Sequence, residues 1–562
     1  MTVVDRLRDE LSKAAAALGV PDADVQVERP RNPEHGDWAT NLAMTLAGRL
    51  KMPPRAIAEG LIGRMDLTGA GVRTAEVAGP GFINFRLSEA ELGALLVRVL
   101  REDASFGRGE QGAGERVMVE WVSANPTGPL HFGHGRQAAL GDAICTLLEW
   151  TGWRVHREFY YNDSGKQMAL LARSVWVRYQ QLLGAEAEVP EGGYHGEYVL
   201  DIAERFRDAE GDRYRGDDSE AALEAMRRFA VTMLRAEQDR DLADFRVPFD
   251  EYYLESSLYE EGLVDATIDA LEETGLAYEH EGAIWLRTTE FGDQKDRVMV
   301  RSNGLPTYFL PDVAYHLTKW ERGFRRAINV QGADHHGTVP RVRAGLRALG
   351  LPEGYPEYVL HQMVRLERGG EEVKISKRAG GYTTLRELYE MVGVDVTRYF
   401  FLMRRPESHL TFDIDEALDQ SDKNQVYKVK YAHARMMSIF RKAGVAAEQP
   451  PASSPRLGRL ETEDEKELVK QLARLPEVVE RAAAGRAPHL VCDYLEETAG
   501  MANSWYHSGN PSRNPELAVL VEDPELRDAR LALARGIRIV LRNGLQVLGV
   551  EAPDRMEREV EP

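Results

Sequence analysis

A chain of 562 residues has room for three or four domains, and 43% hydrophobic with 29% charged residues excludes a collagen-like or largely disordered polypeptide. No stretch approaches the run of about 20 apolar residues that a bilayer-spanning helix needs, and the N-terminal MTVVDRLRDELSKAAAALGV sets Asp and Glu among its apolar positions, unlike a secretory signal. Lys and Arg number 71 against 91 Asp and Glu, so the net charge of −20 argues against binding nucleic acid through a general electrostatic field, while leaving room for a local basic face. Cys145 and Cys492 are too few for a disulfide framework or a cysteine-rich zinc site, and read as buried small hydrophobes in a reducing cytoplasm.

In chain order, residues 3–18 carry Val3, Val4, Leu7, Leu11 and Leu18 at the spacing of an amphipathic helix. Mixed helix and strand signals, including GFINFRL, run to the Gly-rich turn at 107–115, so residues 1–112 are expected to form a small α+β domain. VMVEWVSAN reads as a buried parallel strand, PTGPLHFGHG as a loop, Arg136–Trp150 as a helix and Arg154–Tyr161 as the next strand. Further candidates are a strand at Ala327–Val330 and a helix at Val339–Leu349. The order predicts a Rossmann-like, doubly wound α/β domain over 113–385, interrupted by an acidic helical insertion at about 187–260 with a solvated charged face. A connecting stem is expected over 386–422 and a helix bundle over 423–562, where strand signals are sparse and QVYKVKYAHARMMSIFRKAG reads as one helix with Val426, Val429, Met436 and Phe440 on its apolar side.

The segment EWVSANPTGPLHFGHGR at 120–136 places His131 and His134 around Gly133, between a strand and a helix. Three-residue spacing puts both imidazoles on one side of the first turn, and a helix N-terminus offers N–H groups and partial positive charge to a phosphate. The plain alternative is a pair of loop histidines making local hydrogen bonds. EEVKISKRAGG at 371–381 sets Lys374, Ser376 and Lys377 in a cationic, glycine-flanked loop, which on its own reads equally well as solvated surface. GADHHG at 332–337 groups Asp334, His335 and His336, but adjacent residues seldom aim at one ion, and a nucleotide-binding loop suits its place after a strand. No protein-held metal is expected.

Together HFGH and KISK resemble the HIGH and KMSK motifs of class I aminoacyl-tRNA synthetases. SANPTGPLHFGHGR, REFYYNDSGKQ, GADHHG, the KYAHAR helix, LQVLGVEAPDRM and, near the start, RNPEHGDWATNLAM and EVAGPGFINFRL resemble the arginyl family within that class. Many members have a degraded second motif, whereas both lysines are present here. The resemblance implies ATP-dependent activation of L-arginine, with Mg²⁺ accompanying ATP, and transfer to the 3′ end of tRNA(Arg), with activation waiting for tRNA; a cytoplasmic protein is expected from its cysteines, and a monomer because a complete active site fits in one chain. It implies that His131, His134, Lys374, Ser376 and Lys377 contact phosphates, that Gly133 and Gly135 make room for the nucleoside, and that Asp334 and His335 bind ATP. Glu120, Ser123, Asn125, His134, Tyr308, Asp312 and Gln331 map to arginine, with Tyr308 and Asp312 on the guanidinium side. A planar guanidinium is matched bidentately by carboxylates, although Glu120 also fits a strand end and Asp312 a helix cap.

For tRNA, Phe82 and Asn84 map to the elbow contact, where a core Phe and a turn Asn are the plain alternative. Lys423, Tyr427, Lys430, Tyr431, Arg435, Trp505 and Met556 map to the anticodon side. Residues 423–442 contain several basic and no acidic residues, and tyrosines offer faces for unpaired bases. A cysteinyl enzyme would want zinc-binding cysteines, and a glutamyl enzyme basic pocket residues. A nucleotidyltransferase would not need the helical C-terminal third, and a non-catalytic tRNA-binding paralogue has no chemical need for both histidines and both lysines.

Overall fold

The computed structural model describes residues 2–30, 32–163, 165–373, 383–448 and 456–556, which divide into two compact units. The first unit comprises residues 1–106, 436–474 and 501–540. Its helix Val3–Ala17 begins at a capping box in which the Thr2 hydroxyl accepts from Asp5 N, and it buries Val3, Leu7 and Leu11. Strands β1 (Trp38–Thr40), β2 (Val72–Ala78) and β3 (Phe82–Leu87) form an antiparallel sheet in the order β1-β3-β2. Along β3, Ile83, Phe85 and Leu87 are buried while Phe82, Asn84 and Arg86 alternate toward the open face. N-terminal and later segments of the chain pack together in this unit, with Lys470 Nζ 2.6 Å from Asp37 Oδ1.

The second unit comprises residues 107–435, 475–500 and 541–562. Strands β4 (Arg116–Glu120), β5 (Arg154–Tyr161), β6 (Glu251–Leu254), β10 (Ala327–Gly332) and β11 (Glu357–His361) make a wholly parallel sheet, ordered β11-β10-β4-β5-β6. The chain winds outward from β4 through β5 to β6, then crosses to β10 on the other side of β4. The switch point therefore lies between β4 and β10, where their C-terminal ends open a crevice. Helix Phe132–Trp150 is buried nearly all round, Gly141 being the position where Trp121 leaves no room for a side chain: a Cβ there would stand 2.2 Å from the Trp121 ring. The remaining strands sit in two small sheets, β7 (Ala277–His280), β8 (Ala283–Leu286) and β9 (Arg297–Val300) antiparallel, and β12 (Val364–Arg368) flanked by β13 (Glu371–Glu372) and β14 (Leu410–Asp413).

The parallel doubly wound sheet, the small α+β element at the N-terminus and the helical C-terminal third agree with expectation, and several boundaries move. The expected strand VMVEWVSAN stops at Glu120, and the helix after the loop starts at Phe132 instead of Arg136. Helices Glu197–Glu210 and Glu220–Asp244 of the insertion pack on helix Gly165–Leu182, sharing a core of Leu171, Val175, Val199, Phe206, Met226 and Leu234, so the insertion recruits a helix from before residue 187. β7–β9 were not anticipated, and β14 lies in the supposed stem, where its Leu410–Asp413 pairs in parallel with β12. Helix Gln425–Ala443 buries Val426, Val429, Met436 and Phe440 as expected. Among the described residues no helix is long and apolar enough to cross a membrane.

Because the Trp121 ring root faces Gly141, Gly141→Ala is expected to lower stability by about 1–3 kcal/mol through overpacking. Denaturant unfolding of the two proteins measures this directly.

Candidate active site

At the end of β4 the backbone breaks sharply. Val122 and Ser123 both take left-handed conformations, φ 66° and 40°, which a β-branched valine adopts only when its surroundings enforce it. The break turns Ser123 back on the strand it leaves, so that its hydroxyl donates to Glu120 Oε1 at 2.8 Å and accepts from Tyr160 N at 3.3 Å. Asn125 Nδ2 donates to Gln167 Oε1 at 2.6 Å, while the carbonyls of Asn125 and Gly128 accept from Gln238 Nε2 of helix Glu220–Asp244. The insertion thereby braces the loop that leads to the histidines.

His131 caps helix Phe132–Trp150. Its Nδ1 accepts from Gly133 N at 3.0 Å and His134 N at 3.3 Å, and His134 Nδ1 accepts in turn from His131 N at 3.3 Å. The half-exposed rings stack, centroids 3.7 Å apart. With each Nδ1 committed as an acceptor, the neutral tautomer carries its proton on Nε2, and that nitrogen is the donor each imidazole has to offer. This corrects the expectation of unpaired helix N–H groups, since two of them are used by the cap itself. Gly133 and Gly135 also serve protein packing: a Cβ at Gly133 would stand 2.9 Å from the His131 ring, and one at buried Gly135 would stand 2.5 Å from Leu385.

Lys374, Ser376 and Lys377 lie outside the described residues. Both flanks of that segment are fixed. Val373 N donates to Leu366 O, Thr384 forms a β-bridge with His131, and Leu385 N donates to Leu130 O at 2.8 Å. The two motif regions are thus joined by backbone hydrogen bonds just beyond the second.

Across the switch point stands a group of acidic side chains. Glu120, only 4% exposed, accepts from Lys319 Nζ at 2.6 Å and Asn329 Nδ2 at 2.7 Å, both on Oε2, and Lys319 Nζ also donates to Asn329 Oδ1 at 3.0 Å. Lys319 belongs to helix Phe309–Glu321, as does Asp312 two turns earlier on the same face. Buried Glu255 accepts from Tyr160 OH at 2.9 Å. Asp312 receives no hydrogen bond from the described residues, and burial, then the charges of Glu255 and Glu120, push its carboxyl up to about 7. Burial pushes the Lys319 ammonium down. Behind this group Glu158 is fully buried. Burial alone would raise its carboxyl, but hydrogen bonds from His156 and Arg322 hold it at about 2.

Tyr308, at the cap of helix Phe309–Glu321, is 72% exposed, and Gln331 is half-buried near the end of β10. Asp334 and His335 sit exposed in the 3₁₀ turn Ala333–Gly337 that follows. In the first unit Phe82 and Asn84 share the open face of β3, which answers the core alternative for Phe82. In the second unit Tyr427 and Tyr431 stack at 5.9 Å, Arg435 lies 4.6 Å over Tyr431, Lys423 is exposed and Met556 is half-exposed. Two members of the expected tRNA set do not present themselves as a surface ligand would. Lys430 is ion-paired with Asp395, a counter-ion from another helix that a count of charges along one segment misses. Trp505 is only 5% exposed and offers no open ring face.

Glu255, Lys319, Asn329 and Tyr160 escaped the sequence reading. Asn329 had a signal, a polar residue inside the apolar strand AINVQG. Lys319 had none, because it sits in a charged local sequence typical of solvated helix; Glu255 had only its aromatic and apolar neighbours in EYYLESSLYE.

A parallel sheet with paired histidines at the C-terminal end of β4 and a helical C-terminal third is the architecture of a class I aminoacyl-tRNA synthetase. Family models match in series: the arginyl-tRNA synthetase N-terminal domain over residues 2–87, the class I (R) tRNA synthetase catalytic domain over 96–432, and the DALR anticodon binding domain over 429–556. Relatives include arginine–tRNA ligases of Thiobacillus denitrificans, 50% identical over 99% of this chain and 100% of that one, and Geotalea uraniireducens, 51% identical over 98% and 99%. The arginyl-tRNA synthetase of Thermus thermophilus superposes with a TM-score of 0.75 at 26% identity, covering 98% of this chain and 99% of its own. The chain belongs to the arginyl-tRNA synthetase family.

Since the Asp312 carboxyl lies near 7 in the folded protein and at the ordinary 3.8 when unfolded, the folded state binds the proton more tightly and ionisation costs stability. Asp312→Asn is therefore expected to exceed the wild type in stability by an amount that grows from about pH 4 to pH 7 and levels above, reaching about 2 kcal/mol. Melting temperatures across that range check it; a constant difference would contradict it.

Proposed function

We propose that this protein is an arginine–tRNA ligase that activates L-arginine with ATP, releasing pyrophosphate, and transfers the arginyl group to the 3′ end of tRNA(Arg) with release of AMP. The observation that supports this most is the carboxylate group at the switch point, where Glu120 already has a cation, Glu255 has a tyrosine and Asp312 has neither. A guanidinium entering beside Asp312 supplies the missing donors in planar, bidentate form. Asp312, Glu255 and Tyr308 then face the guanidinium, and Glu120, Ser123, Asn125 and Gln331 the amino-acid end.

Attack by the arginine carboxylate on the α-phosphate builds charge on phosphate oxygens, so catalysis rests on positioning and electrostatic stabilisation. His131 and His134 donate from Nε2 to those oxygens, with Asp334 and His335 near the nucleoside. Lys374, Ser376 and Lys377 draw the β- and γ-phosphates, with Mg²⁺ entering as part of the ATP substrate. Residues 1–112 contact the tRNA elbow through Phe82 and Asn84, 113–385 hold the chemistry, 386–422 connect, and 423–562 take the anticodon through Lys423, Tyr427, Tyr431, Arg435 and Met556. The protein acts as a cytoplasmic monomer, and arginine activation waits for tRNA.

Bulk tRNA offered with each of twenty labelled amino acids should be charged with arginine alone; charging with another amino acid, or none, would overturn the reading. His134→Ala and Lys377→Ala are each expected to lower kcat for charging by about 10²–10³-fold, the scale of one lost transition-state donor. Pyrophosphate exchange at full rate without tRNA would contradict the tRNA requirement alone.

A further inference from the structure

Glu120 is held by a closed triangle. Lys319 Nζ and Asn329 Nδ2 both donate to its Oε2, Lys319 donates to Asn329 Oδ1, and Ser123 donates to its Oε1. Lys319 has no exposed surface and reaches the triangle from two turns beyond Asp312, its ammonium 4.3 Å over the Tyr315 ring. A buried ammonium is costly unless its partners surround it, and removing one partner from such a pair leaves the other charge uncompensated. Here both partners are side chains of the switch point, one from β4 and one from β10, so the ammonium spans the crevice from below. Asp312 feels the charges of both Glu255 and Glu120, so without a cation beside it the Glu120 carboxylate would be repelled and would turn away.

We propose that Lys319 is the positioning residue of the arginine pocket: through the Glu120–Lys319–Asn329 triangle it holds the Glu120 carboxylate in place and aimed, without itself touching substrate. The inference rests on the reading of Glu120 as an arginine-side group. It also assigns the lysine and the substrate guanidinium to separate carboxylates, with the lysine serving Glu120 and the guanidinium serving Asp312.

The test is a double-mutant cycle of Lys319→Met and Glu120→Gln in the full-length protein, read by arginine KM, ATP KM and kcat in tRNA charging, with melting temperature as the check of folding. Lys319→Met is expected to raise arginine KM about tenfold or more while ATP KM stays within about twofold. Placed on Glu120→Gln, it should change arginine KM by less than about twofold, because the two residues act as one unit. A folded Lys319→Met protein with unchanged arginine KM, or one whose effect multiplies with that of Glu120→Gln, overturns the positioning role while leaving the pocket reading intact. A Glu120→Gln protein with unchanged arginine KM overturns that reading and this inference with it. Should Lys319→Met not fold, Asn329→Ser replaces it in the same cycle, expected to raise arginine KM about threefold or more with the same non-additivity; additivity would overturn the inference.

Discussion

Three carboxylates at the mouth of one crevice, with one lysine among the described residues to balance them, set the terms for the rest of the catalytic unit. Like charges in a poorly solvated place repel unless each is given a partner, and the surrounding residues distribute partners unequally. Glu120 has Lys319, Asn329 and Ser123, Glu255 has Tyr160, and Asp312 is left to hold its proton near neutrality. In the proposed reading, that inequality is what makes the site receptive. A pocket with every carboxylate satisfied would gain little from a guanidinium, and one with none satisfied would not stay ionised or fixed.

Fixing so much charge requires a rigid frame, and buried arginines supply part of it. Arg136, without exposed surface, donates to the carbonyls of Gln362, Arg405 and Ser408, and so locks the first turns of the histidine helix to the segments that lead into β12 and β14. Burial pushes its guanidinium down to about 10, which still leaves it charged. Arg398 joins Asp142 of the same helix to the carbonyls of Phe245 and Leu548, where a Cβ on Gly549 would collide with it. The tyrosine pair of helix Gln425–Ala443 is set on a segment tied to the same body through Lys430 and Asp395. Part of the basic character of this acidic protein is therefore spent internally.

What could be read from the sequence was local. The β-branched run of β4, the Pro/Gly loop and the His-x-Gly-His spacing each announce themselves within a dozen residues, and together they locate the switch point. What could not be read was pairing across distance. Lys319 lies 199 positions from Glu120, and nothing in HLTKWERG distinguishes its ammonium from a solvated one. The strand ending at Glu120 was over-extended for a related reason, since WVS has strand composition and only the tertiary setting forces Val122 and Ser123 into left-handed backbone. The histidine cap shows the converse: the motif was legible, but its use of Nδ1 on its own helix depends on side-chain geometry that spacing does not specify.

The proposal on which these relations converge is that Asp312, with its carboxyl near 7, gives up its proton when arginine binds beside it. Titration calorimetry of arginine into the free protein, in buffers of different ionisation enthalpy, counts the protons released. With a carboxyl near 7, release should approach one proton per arginine at pH 6, fall to about half at pH 7 and be small at pH 8. Equal or negligible release at all three values would contradict the account.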